Sequence, residues 1–207
     1  MKIKVCGLKY PENMLAIDEL KPDFLGFIFY EKSPRYFADD FVPKISAKKV
    51  GVFVNETVEK IAAKSNEFGL DYIQLHGSET VEIVESLCQK GFNIIKAFSI
   101  YDRIDNEMLK QYEPFCNYFL FDTKGNNAGG NGVKFDWNVL KEYRLETPFF
   151  LSGGIQPKDV DSIIAIQHKG LAAVDINSGF ETTAGIKNIE LVKQFIHDIR
   201  SNEAQTA

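Results

Sequence analysis

Phe149-Phe150-Leu151 runs straight into Ser152-Gly153-Gly154-Ile155, and Ala172-Ala173-Val174-Asp175-Ile176 runs straight into Asn177-Ser178-Gly179. Each is a short apolar strand that ends in a loop rich in backbone N–H groups, with a helix-like pattern after it. Glycine lets the backbone approach an oxyanion closely, and a helix N-terminus favours negative charge. Two such loops on adjacent parallel strands form a phosphate clamp, the arrangement that follows strands seven and eight of a (β/α)8 barrel. That placement requires six earlier strand–helix units.

Six apolar runs fill the places: Ile3–Cys6, Phe24–Phe29, Lys49–Val54, Tyr72–Leu75, Asn93–Phe98 and Tyr118–Asp122. Helices are expected from Pro11 to about Leu20, near Asp39–Ala47, from Asn55-Glu56-Thr57 to Phe68, from Ser78-Glu79 to Lys90, weakly after Phe98, and from about Asp136. Continuous rather than alternating apolar runs fit parallel strands buried on both faces. The alternation of strand and helix favours α/β over α+β. A doubly wound open sheet satisfies the same alternation. What favours a single eight-stranded parallel barrel over residues 1–200, with a polar tail at 201–207, is where the unusual residues fall. Cys6, Gln74, Asp122, Ser152 and Asp175 all lie at or near the carboxyl ends of their strands, and in a barrel that rim is the active-site face.

The totals narrow the class of protein. A chain of 207 residues suits one domain with a substantial core. Its 24 basic and 29 acidic residues give a net charge of −5 without a long basic run, which argues against a nucleic-acid partner. Three irregularly spaced cysteines make no disulfide framework, so a reducing, cytoplasmic setting is expected. The apolar run at Met1–Gly7 is too short for a signal peptide, and no segment approaches the roughly 18 apolar residues of a membrane span.

Each candidate residue has a bland reading beside the chemical one. Cys6 is a small hydrophobe by default; on the rim before Gly7 it becomes a base or nucleophile if its surroundings lower the thiol pKa. Asp122 follows four apolar or aromatic residues. It either caps its own loop or, kept protonated by desolvation, serves as a general acid. The long loop Gly125–Gly132 offers further backbone donors at Gly130 and Gly132, although a lone glycine-rich loop is a weak signal. Arg35, in a Pro-flanked loop, is either a solvated arginine or a fork for a carboxylate. His76 sits on the rim, whereas His168 and His197 fall in helix-like stretches, which gives little support for a metal site.

Taken in order, Lys4-Val5-Cys6-Gly7, Ser33-Pro34-Arg35, Val50–Asn55, Gln74-Leu75-His76-Gly77 and Phe121-Asp122-Thr123 resemble the phosphoribosylanthranilate isomerase family. So do Gly129–Gly132 with Phe135-Asp136-Trp137, Leu151-Ser152-Gly153-Gly154, and Asp175-Ile176-Asn177-Ser178-Gly179-Phe180-Glu181. The similarity spans about residues 3–196, with Ile155 standing where leucine is frequent. It implies a (β/α)8 barrel of tryptophan biosynthesis, an intramolecular oxidoreductase of the aldose–ketose class. Its reaction is a cofactor-free, metal-free Amadori rearrangement of N-(5-phosphoribosyl)anthranilate. The resemblance further implies Asp122 as general acid and Cys6 as general base. It implies Arg35 on the anthranilate carboxylate, and Gly130, Gly132, Ser152, Gly153, Gly154, Asn177, Ser178 and Gly179 around the phosphate. Asp175 and His76 join the substrate-binding set, Asp175 ordering the loop after the last strand or touching the ribose, with no proton transfer assigned to it. The expected partner is a small phosphoribosyl molecule, on a monomer or homodimer.

Three rivals remain. A pentose-phosphate epimerase wants clustered histidines and carboxylates for metal-assisted proton transfer. An indole-glycerol-phosphate synthase wants a rim lysine as acid, for which Lys96 is the one loose candidate. A phosphoribosyl-binding module would keep the clamp without turnover.

Overall fold

Eight strands close on themselves in chain order, all parallel, with β1 (Lys2–Cys6) hydrogen-bonded to both β2 (Phe24–Ile28) and β8 (Leu171–Ile176). Between them stand β3 (Lys48–Phe53), β4 (Tyr72–Leu75), β5 (Ile94–Ile100), β6 (Tyr118–Thr123) and β7 (Phe149–Leu151). This computed structural model describes residues 1–123 and 136–206. The Gly125–Gly132 loop, with the expected donors Gly130 and Gly132, lies outside the described residues. The barrel replaces the open-sheet alternative, and strand limits agree with the sequence reading to within two residues.

The outer layer is formed by α1 (Pro11–Asp18), α2 (Val58–Phe68), α3 (Val81–Gln89), α4 (Asn106–Lys110), α5 (Val160–Ile164) and α6 (Ile189–Thr206). Where helices form, local chemistry marks their ends. Pro11 supplies a preset φ in the first turn of α1, and Thr57 caps α2 by accepting from Lys60 N. α2 stops at Gly69, which adopts the left-handed conformation (φ 57°).

Four expectations need correction. No helix covers Asp39–Ala47: Pro43 removes a donor from its middle, and the Asp18 carboxylate instead accepts from Ser46 N (2.7 Å) and Ala47 N (2.9 Å), pinning an irregular crossing. The helix expected from Asp136 is a 3-10 segment, Trp137–Glu142, capped by Asp136. Leu140 is its buried residue, and the chain turns extended at Tyr143, whose buried ring follows directly after it. After β8 comes a 3-10 turn, Ser178–Phe180, then an antiparallel hairpin of β9 (Glu181–Thr183) and β10 (Ile186–Lys187) before α6. Finally, α6 runs on to Thr206 through most of the supposed tail, which contains neither Pro nor Gly to stop it.

Side-chain alternation along the strands creates two cores. Residues such as Ile3, Val5, Leu25, Phe27, Phe119 and Phe121 face outward and pack beneath the helices. The opposite parity, Phe24, Val50, Ile95, Ala97, Leu120, Phe150 and Ala173, fills the barrel, joined by Tyr72 and Tyr118. Aromatic edges plug its amino-terminal half, with Phe24–Tyr72 centroids at 5.7 Å and Tyr118–Phe150 at 4.8 Å. The inward positions further along the same strands include the polar ones.

Candidate active site

Continuing the inward parity toward the carboxyl ends gives Lys4 and Cys6 on β1, Val52 on β3, Gln74 on β4, Asp122 on β6 and Asp175 on β8. All of these except buried Lys4 line a cleft of about 670 Å3, together with His76, Ser152, Gly153, Gly154, Asn177 and Ser178. Period-two geometry thus gathers into one rim cavity residues that lie up to 172 positions apart in the chain (Cys6 to Ser178).

Cys6 is 4% exposed, and Gly26 opposite it in the register with β2 leaves its sulfur room: a Cβ there would come within 2.7 Å of Sγ. Burial pushes the thiol pKa up. The nearby ammonium groups of Lys4 and Lys187 pull against that rise, and Asp175 adds to it. The lowered thiol pKa considered from sequence is therefore not what these surroundings produce. Lys4 is fully buried and donates to Asp175 Oδ1 at 2.9 Å. Burial disfavours its charge, but Asp175 and the Cys6 thiol more than compensate and raise its pKa.

Asp122 is held from two sides. Oδ1 accepts from Thr123 N at 2.8 Å, and Oδ2 lies 3.0 Å from His76 Nε2. Gln74 Nε2 lies 2.7 Å from His76 Nδ1. An amide NH2 only donates, so Nδ1 accepts and the proton of a neutral His76 sits on Nε2, directed at Asp122. Gln74 Oε1 is buried without a hydrogen-bond partner among the described residues, an acceptor on the cleft wall. Of the two functions considered for Asp122, loop capping is the one these contacts form, and the side chain also lines the cleft.

The loops after β7 and β8 pack on each other. Gly153 has φ 91°, and a Cβ there would collide with Thr123 and come within 2.7 Å of Asp122 Oδ1. Only glycine permits both that backbone conformation and that approach. Gly179 abuts the carbonyl of Ile155 and the side chain of Gln156. Ser152 N is committed to the Phe121 carbonyl at 2.9 Å, so it is the backbone at Gly153–Gly154 and at Asn177–Gly179 that stands at adjoining strand ends, a concavity suited to an oxyanion.

Arg35 is not part of the cleft wall. Its Nε and Nη2 grip the Glu181 carboxylate, with Nη2 to Oε2 at 2.7 Å, and Lys187 Nζ donates to the same carboxylate at 2.6 Å. Asp175, expected to order the loop or touch ribose, pairs with Lys4 across the β1–β8 seam while still reaching the cleft. Sequence reasoning missed Lys4, Lys187 and the tie of Glu181 to Arg35. The one available signal was Lys4, two residues before Cys6 on a strand otherwise apolar in its buried part, and so on the same face as the thiol. Lys96 does not line the cleft. It faces the other way on β5 and is held by Glu79 Oε2 at 3.0 Å, with the carbonyls of Leu75, Gly77 and Ala97 around it. Among the described residues no group of three or more His, Cys, Asp or Glu is placed to hold a metal.

Residues 3–198 match the family model described as N-(5'phosphoribosyl)anthranilate (PRA) isomerase. The N-(5'-phosphoribosyl)anthranilate isomerase of Parabacteroides distasonis is 43% identical over 100% of this chain and 96% of the relative. The crystal structure of phosphoribosyl anthranilate isomerase from Thermotoga maritima is 33% identical and superposes with a TM-score of 0.82, covering 97% of this chain and 99% of that one. A phosphoribosyl anthranilate isomerase in complex with reduced 1-(o-carboxyphenylamino)-1-deoxyribulose 5-phosphate superposes with a TM-score of 0.80 at 31% identity, covering 97% of this chain and 99% of that one. On its full-length match in sequence and its match in barrel architecture, this chain belongs to the N-(5'-phosphoribosyl)anthranilate isomerase family.

Proposed function

We propose that the chain converts N-(5-phosphoribosyl)anthranilate to 1-(2-carboxyphenylamino)-1-deoxyribulose 5-phosphate, the isomerisation step of tryptophan biosynthesis. One observation carries the assignment of roles: the Cys6 thiol and the Asp122 carboxyl face a single cleft beside two adjoining loops of backbone donors.

Asp122 gives its proton to the furanose ring oxygen. The C1–O bond breaks as the arylamine lone pair forms the C1=N iminium. The carboxylate so produced is stabilised by Thr123 N–H and His76 Nε2–H, donors already in place. Cys6, as thiolate, removes the C2 proton; those electrons form C1=C2 and the iminium pair returns to nitrogen. Protonation of C1 and loss of the C2 hydroxyl proton then give the ketone and restore acid and base. The substrate's own nitrogen is the electron sink, so the protein need supply only acid, base and anchors.

Backbone groups of Gly153–Gly154 and Asn177–Gly179 hold the phosphate in this scheme, and Arg35 takes the anthranilate carboxylate. Both lie away from the reacting carbons, so their binding energy serves orientation. Asp175 moves no proton; it is committed to Lys4. No helix among the described residues is long and apolar enough to cross a membrane, and all three cysteines are free thiols. Three free thiols support a reducing, cytoplasmic setting.

The test follows the decay of anthranilate-type fluorescence from freshly made substrate. Wild type is expected to convert it rapidly. Cys6→Ala and Asp122→Asn are each expected to lower kcat by about 100-fold or more, the usual worth of a positioned acid or base. A folded wild-type protein without turnover refutes the isomerase reading and leaves a binding module.

A further inference from the structure

Glu181, the first residue of β9, has no step in the proposed reaction, yet four donors converge on it. Arg35 Nε reaches Oε1 at 2.9 Å and Oε2 at 3.0 Å, and Arg35 Nη2 reaches Oε2 at 2.7 Å. Lys187 Nζ reaches Oε1 at 2.6 Å and Gly185 N reaches it at 3.0 Å. The side chains are 14%, 5% and 0% exposed for Arg35, Glu181 and Lys187. Burial works against the Glu181 charge, and the two cations overcome it, holding the carboxyl below its ordinary value.

Two cations against one carboxylate leave one positive charge over. A buried surplus charge is costly unless something pairs with it. This surplus stands at the side of the cleft. A Cβ on Gly7 would lie 2.8 Å from Arg35 Cδ and 2.7 Å from Asn177 Oδ1, and Asn177 lines the cavity. Lys187 is fully committed, to Glu181 and to the Oδ1 (2.7 Å) and carbonyl (3.4 Å) of Asn177. Arg35 is committed only along its Nε–Nη2 edge to Glu181, so among the described residues its Nη1 end has no acceptor. A planar fork fixed along one edge can present its other edge in one direction only.

We propose that Glu181 is a positioning residue that makes the site selective for a substrate bearing a ring carboxylate, by clamping one edge of Arg35 and reserving the other for that carboxylate. This rests on the isomerase reading and extends it: selectivity for the aryl group depends on a carboxylate of the β9–β10 hairpin that touches no reacting atom. Lys187 fixes Glu181 in turn and keeps it from following Arg35.

The test compares binding of two probes by calorimetry. One is reduced 1-(o-carboxyphenylamino)-1-deoxyribulose 5-phosphate; the other is its counterpart with phenyl in place of o-carboxyphenyl. Wild type is expected to prefer the carboxylated probe by about tenfold or more, the worth of a charge-assisted hydrogen bond. Glu181→Asp keeps the charge and withdraws the clamp by one methylene. It is expected to remove most of that preference and raise KM, with kcat and affinity for the phenyl probe within about threefold of wild type, the pattern of lost uniform binding. Glu181→Gln, which raises the local positive charge, is expected to lose preference as well. If charge alone mattered, Glu181→Gln would gain preference and Glu181→Asp would keep it, and either result overturns the proposal. Equal weakening of both probes in Glu181→Asp also overturns it, since that marks a merely structural residue. Failure of the underlying reading looks different: wild type then shows no turnover, or Arg35→Met leaves the preference intact.

Discussion

Cys6 is asked to be a base in surroundings that oppose its ionisation. Burial pushes the thiol up, and the charges facing it are Lys4 on its own strand, Asp175 from β8 and Lys187 from β10. Two of these favour the thiolate and one opposes it, and burial still prevails. The free-enzyme value therefore lies above that of an ordinary thiol, about 8.5. In the proposed mechanism the ionised form is the active one, so kcat/KM should rise with pH along a limb that continues into the alkaline range. Cys6→Ser should abolish that limb, and Lys187→Met should shift it to still higher pH. A limb centred below 8, or one that survives in Cys6→Ser, would show that another group is the base. The side chains at this scale divide by how far their partners lie along the chain. Cys6 and Asp122 were legible because each ends an apolar strand. The partners that tune them were not, since nothing local says that Lys4 meets Asp175, 171 residues away, or that Lys187 returns to Asn177 through a hairpin.

At the scale of elements, continuous apolar runs gave the eight strands because both faces of each are buried. Helices were less legible where packing rather than propensity shaped the chain, as at Asp39–Ala47 and after Asp136. The loop after β4 shows how such packing serves the site. Glu79 accepts from Asn55 N at 2.9 Å, from Gly77 N at 3.0 Å and from Lys96 Nζ at 3.0 Å, tying the segments just after β3 and β4 to the body of β5 close to His76. Burial lowers the Lys96 pKa, and Glu79 is what keeps that ammonium compensated. Glu79→Ala leaves a buried lysine without its counter-ion and two backbone donors without an acceptor. The expected cost is about 3–5 kcal/mol in urea unfolding, in the range for breaking one side of a buried pair. The accompanying loss of kcat should exceed any rise in KM, because the displaced loop carries His76, which supports Asp122. An effect under 1 kcal/mol with unchanged kcat would mean that water replaces Glu79 and that the loop needs no such tie.

Closure is a property of the whole barrel, and it brings the first strand to the last. Lys4 and Asp175 are register partners across that seam, and their side chains meet at 2.9 Å above the aromatic plug. An ion pair in that position is a poor source of stability, since desolvating both charges roughly cancels their attraction. Its place beneath Cys6 gives it another use: it holds a cation beside the thiol that the rest of the interior would keep neutral. Two variants separate these contributions. Lys4→Met removes one partner and strands a buried carboxylate. It should lose about 3–5 kcal/mol, which for a chain of this length is roughly ten degrees in Tm. Lys4→Met with Asp175→Leu fills the same space without charge and should recover most of that stability. The double variant should nevertheless remain poorly active, with its alkaline limb displaced upward, because the ammonium near Cys6 is gone along with its partner. The pH dependence of stability has a fixed sign as well. Lys4 has a folded pKa above the ordinary lysine value of 10.5, so its contribution is fully present below that value and is lost as pH rises through the folded one. Chemical unfolding of wild type and Lys4→Met should therefore differ most at neutral pH and converge in strong alkali. Full activity in the stable double variant would show instead that the pair serves barrel closure alone, and that Lys187 by itself suffices to ionise Cys6.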